Sequence, residues 1–94
     1  MAIYAVQYIY SGEPDELAAI RPQHRAFTKD LFEAGVLLAS GPLVNRAAAL
    51  LLLRADSWTD VVQILDNDPF EVAGLIGERD IEEWNPIYGP WEAK

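Results

Sequence analysis

Two short runs, each apolar on both of its alternating faces, limit this chain most. Ala2 to Tyr10 (AIYAVQYIY) sets Ile3, Ala5 and Ile9 on one face and Tyr4, Val6, Tyr8 and Tyr10 on the other. Ala47 to Arg54 (AAALLLLR) has the same character. The β-branched and aromatic enrichment of the first run and the shortness of both predict strands. A strand that is apolar on both faces is normally covered on both. A small domain can cover one face of a sheet with its own helices, and the other face then needs a partner.

Helical patterns separate the strands. Asp15 to Ile20 is expected to form a short helical turn that ends at Arg21, because the residue before a proline avoids the α region. Pro22 then starts the main helix, which reaches about Ala34 with Gly35 just beyond its end. His24, the only histidine, falls in the first turn, and His24, Phe27, Thr28 and Leu31 follow at helical spacing. That stripe should face inward. Val36 to Ala39 reads as the second strand, stopped near Ser40-Gly41-Pro42. Ser57-Trp58-Thr59-Asp60 resembles an acidic capping box, so Ser57 should cap a second helix that Pro69 brings to an end. Val72 to Trp84 is the fourth strand, kinked near Gly74 or Gly77, and the aromatic tail beyond it is expected to pack on a neighbour.

The order is β-α-β-β-α-β, the ferredoxin-like plan. The fold class is therefore α+β: one domain over 1–94, with a four-stranded antiparallel sheet and two helices on one face. The open face predicts a homodimer or a higher oligomer built from it.

Composition narrows the function. Fifteen acidic residues against seven Lys and Arg give a net charge of −8, which argues against nucleic-acid binding through phosphates. The chain has no cysteine, so it offers neither disulfides nor thiolate ligands, and one histidine among scattered carboxylates has no metal-ligand spacing. The longest apolar run, Ala47 to Leu53, is too short to span a bilayer, and nothing at the start reads as a signal peptide. The expected setting is cytoplasmic, with no membrane partner. No glycine loop suited to phosphates is present, so no cofactor is expected.

Three motifs together carry a resemblance: Arg21-Pro22-x-His24, Gly35-Val36-Leu37-Leu38-Ala39-Ser40-Gly41-Pro42, and Asn67-Asp68-Pro69-Phe70-x-x-Ala73-Gly74. In matching order they resemble the YCII-related (YciI-like) domain over nearly the whole chain. The resemblance implies a ferredoxin-like unit assembled into a dimeric α/β barrel. It also implies an active-site histidine and aspartate, which fall on His24 and Asp68. Relatives are linked to elimination on chlorinated, hydroxylated aromatics. One departure is Asn45-Arg46-Ala47, where relatives often carry an Asp-Gly-like turn before the third strand.

His24 and Asp68 are thus the catalytic candidates, since a carboxylate can orient an imidazole for general-base work. Asp68 is expected at the C-terminal end of the second helix. Substrate-binding candidates are Ser40, Gly41, Arg21 and Phe70. Arg21 would either hold an anionic group or, as favoured, form a salt bridge with Glu13, Asp15 or Asp68. Ser40 lacks the strand-to-helix elbow of a hydrolase nucleophile. Two classes fit these residues: a cofactor-independent proton-transfer or elimination enzyme acting on a small aromatic or enolisable molecule, and a non-catalytic small-ligand binder or accessory protein with the same pocket.

Overall fold

A computed structural model describes residues 2–91. Its elements run β1 (Ala2–Tyr10), α1 (Pro14–Glu33), β2 (Leu37–Pro42), β3 (Ala48–Ala55), α2 (Trp58–Leu65), α3 (Pro69–Val72) and β4 (Ile76–Trp84). The four strands form one sheet in the order β2-β3-β1-β4, and every neighbouring pair is antiparallel. This is the expected α+β plan, and the Ala/Leu run is strand despite its helix propensity.

Register explains where the core sits. Tyr4 pairs with Leu53, Val6 with Leu51 and Ile81, and Tyr8 with Ala49. All of these are buried in one cluster with Leu37 and with Val61 and Leu65 of α2. Ser57 caps α2 as expected: its hydroxyl accepts from the Asp60 N–H at 3.1 Å. The Trp58 indole N–H donates to the Ile81 carbonyl at 3.1 Å, which ties α2 to β4.

Three expectations need correction. First, Pro22 does not start a helix; it lies inside α1, which Pro14 begins. An interior proline removes the bond to the carbonyl four residues earlier, at a cost of roughly 3 kcal/mol or more. Both Pro22 and Ala18 are exposed, so water can reach the orphaned carbonyl. Packing holds the helix on either side of the proline, through Leu17 and Ile20 against Phe70 and Leu75, and through Leu31 against the main core. His24 is therefore mid-helix.

Second, Asp68 is not at a helix C-terminus. It is the N-cap of α3, where its side chain accepts from the Phe70 N–H and Pro69 supplies the first turn. Third, β4 starts at Ile76 rather than Val72, because residues 69–72 are helical and Gly74 ends that turn with a left-handed φ of 75°. The kink near Gly77 is present as a bulge: Ile9 pairs with Glu78 and Tyr10 with Ile76, skipping Gly77.

β2 runs through Pro42, and its turn closes by a bond from the Leu43 N–H to the Ala48 carbonyl at 2.9 Å. No non-glycine residue among those described has a positive φ, so this longer loop does without the glycine of a tight hairpin.

Candidate functional site

The site lies where α1 crosses the β2–β3 side of the sheet, with α3 behind it. Arg21, His24, Arg25 and Thr28 fall three and four residues apart, on one face of α1. Together with Tyr10, Ser40, Gly41, Pro42, Ala49, Leu51 and Phe70 they line a pocket of about 240 Å³. That is just below the range of roughly 300–1,000 Å³ usual for ligand pockets, so the space suits a small molecule.

Asp68 sits behind the lining, fully buried. Its Oδ1 and Oδ2 lie 2.8 and 3.0 Å from His24 Nδ1. Oδ1 also accepts from the Phe70 N–H at 3.0 Å, and Oδ2 accepts the Tyr8 hydroxyl proton at 2.8 Å. A carboxylate only accepts, so these contacts place a proton on Nδ1; in a neutral imidazole the lone pair is then on Nε2. No buried side-chain nitrogen or oxygen among the described residues lacks a partner. The buried polar group is therefore fully satisfied, the condition under which it can be rigid.

Tyr8 completes the arrangement. Burial, then the neighbouring Asp68 carboxylate, push its phenol far above the ordinary value of 10.0, so it stays protonated and donates. Tyr10, half-buried in the pocket wall, is also raised, by burial and then by Asp68, with Arg21 opposing. The His24 ring stacks on Phe70 with centroids 4.3 Å apart and planes at 23°, and Tyr10 meets Phe70 edge-on at 5.3 Å. The imidazole is thus held by a hydrogen bond on one edge and by an aromatic ring against its face.

All four substrate-binding candidates, Ser40, Gly41, Arg21 and Phe70, line this one pocket with His24. The salt bridge favoured for Arg21 is not formed: the ion pairs among the described residues involve His24–Asp68, Lys29–Glu33, Arg79–Asp66 and Arg79–Glu71. Gly41 is not required by the backbone, since a Cβ there would meet nothing within 4 Å. The sequence reading missed Tyr8, Arg25, Thr28 and Tyr10. Tyr8 could have been suspected, because a tyrosine on the buried face of a strand must find a partner for its hydroxyl. Thr28 turns its hydroxyl back onto the His24 and Arg25 carbonyls at 3.2 and 3.1 Å.

The family model for the YCII-related domain matches residues 1–85, and the chain belongs to that family. Among solved structures the chain is similar to the 5-chloro-2-hydroxyhydroquinone dehydrochlorinase of Burkholderia phenoliruptrix in complex with 2,5-dihydroxybenzoquinone. The TM-score is 0.79 at 22% identity, over 88% of this chain and 93% of that one, a likeness of fold. No curated protein sequence matches.

Proposed function

We propose that this YCII-related protein is a cofactor-independent acid–base catalyst acting on a small hydroxylated aromatic or otherwise enolisable molecule. The observation that supports this most is the contact between Asp68 and His24 Nδ1 at 2.8 Å, beside a pocket that the imidazole lines. With Nδ1 committed to the carboxylate, Nε2 is the base. It takes a proton from an acidic C–H or O–H of the substrate and leaves the electron pair there as an enolate. In an elimination that pair forms the new double bond and expels an anionic leaving group, so the substrate loses one proton and one anion overall. Asp68 orients the ring and stabilises the imidazolium, and the Tyr8 hydroxyl and the Phe70 N–H hold Asp68 in place. The similar dehydrochlorinase is named for chemistry of this kind, which favours the elimination form.

The test is a panel of chlorinated hydroquinones and enolisable small molecules, followed by NMR for solvent-deuterium exchange and halide release. His24→Asn is expected to lower turnover about 10²-fold or more, the usual worth of a general base, with affinity within a few-fold of the unmodified protein. Turnover that survives His24→Asn would sink the base assignment. Binding across the panel with neither exchange nor release would leave the ligand-binder reading in its place.

The same reading includes a homodimer. The sheet face away from the helices carries Ala5, Ile9, Leu50 and Leu52, with Leu50 43% exposed and Trp84 37% exposed. Glu78, Asp80 and Glu82 of β4 border it on one side, so apart from Trp84 at the end of that strand its apolar part lies on β1 and β3. A second copy is the occupant that the bare face supports.

A further inference from the structure

We infer that the ligand of this pocket is a small organic anion, a carboxylate or an acidic enolate or phenolate on a compact apolar body, whose charge is held by Arg21 and Arg25. The inference rests on the proposed function only in taking the pocket as the ligand site. The chain carries fifteen carboxylate side chains against seven Lys and Arg, so an arginine has ample chance of a partner. Yet neither Arg21 nor Arg25 forms a salt bridge among the described residues, and both line the pocket.

No carboxylate is among the lining residues. The nearby one, Asp68, is buried behind His24, with its oxygens occupied by Tyr8, the Phe70 N–H and Nδ1. The pocket is therefore a positive spot on an acidic protein. Two guanidinium groups four residues apart on one helix face can grip an anionic group from one side, as planar forks suited to carboxylate geometry. The remaining wall, with Ala49, Leu51, Pro42 and Phe70, is apolar and suits the uncharged body of the ligand.

This placement also serves the chemistry. A proton leaving for Nε2 increases negative charge on the substrate, and guanidinium groups nearby favour that change. The clamp would then select anions both in binding and in turnover.

The test uses matched pairs of small carboxylates and their neutral amides: acetate and acetamide, pyruvate and pyruvamide, benzoate and benzamide, salicylate and salicylamide. Binding is read from the His24 ring signals by NMR at pH 7.5. At least one acid should bind on the order of tenfold or more tighter than its amide, with the preference weakening as salt is raised. Arg21→Gln with Arg25→Gln should bring each pair to within about twofold, while Lys29→Gln, outside the pocket lining, should leave the preference intact. Glutamine is a good helix former, so both replacements should keep α1 folded. The inference is overturned if no pair shows an anion preference, or if the preference survives the double replacement. The unmodified protein separates the two readings: an anion preference with neither exchange nor halide release across the panel keeps the clamp and removes the catalyst.

Discussion

The two faces of the sheet are built on opposite principles. On the covered face every buried polar side chain among the described residues is answered: Tyr8, buried completely, donates to Asp68, which is also buried completely and is held by the Phe70 N–H and His24. On the uncovered face Leu50 and Trp84 stay partly in water beside the acid residues of β4. The difference shows where specificity is stored. A buried carboxylate costs a great deal unless each lone pair is met, so the closed face tolerates one arrangement of side chains. An apolar surface is indifferent to direction and tolerates many.

Asp68→Ala should break the closed face most severely. It removes the cap of α3, the acceptor of Tyr8 and the partner of His24 together. A loss of about 3 kcal/mol or more is expected in urea unfolding, because three hydrogen bonds to one buried carboxylate go together at roughly 1–3 kcal/mol each. A loss below about 1 kcal/mol would mean that the network contributes little to the fold.

Tyr8→Phe is the milder cut on the same face. Losing a hydrogen bond to a charged group should cost roughly 1.5–3 kcal/mol near neutral pH. Alkaline pH sharpens the test, because the Tyr8 phenol lies far above its ordinary 10.0 in the folded chain. Below about pH 10 both folded and unfolded chains keep this proton, and stability is unaffected. Above it the unfolded chain ionises first, so stability should fall with a slope approaching 1.4 kcal/mol per pH unit from Tyr8 alone. Unfolding free energies measured from pH 9 to 11 should lose that part of the slope in Tyr8→Phe. Identical slopes would show that the hydroxyl is not held as described.

Leu50→Asp probes the other face and should scarcely touch the monomer, within about 0.5 kcal/mol for a surface substitution. Its expected effect is on assembly. Sedimentation at micromolar concentration should change from dimer to monomer, since a charge on each copy would enter the contact. A dimer that persists unaltered would move the interface elsewhere.

Much of this could be read along the chain. Strand periodicity, the Ser57 cap and the end of α1 at Gly35, whose φ is 81°, are local facts. They follow from side-chain alternation and from the few conformations that glycine, serine and proline prefer. The pairing of His24 with Asp68 was also within reach, as the one inward histidine needed an acceptor. Pro22 misled for a physical reason: its local cost is real, but packing of Leu17 and Ile20 on one side and Leu31 on the other outweighs it.

What the sequence by itself determined was the order of the four strands and the two main helices and where their apolar faces lie, because those depend on neighbours within a turn or two. Only the tertiary structure decided that Asp68 caps a helix rather than ending one, that the Tyr8 hydroxyl reaches it from sixty residues away, and that Arg21 and Arg25 line one pocket outside the ion pairs of the described residues. Those outcomes depend on competition for partners across the fold. Which donor meets a buried carboxylate is settled by distance in space and by desolvation, and neither is written in any one segment.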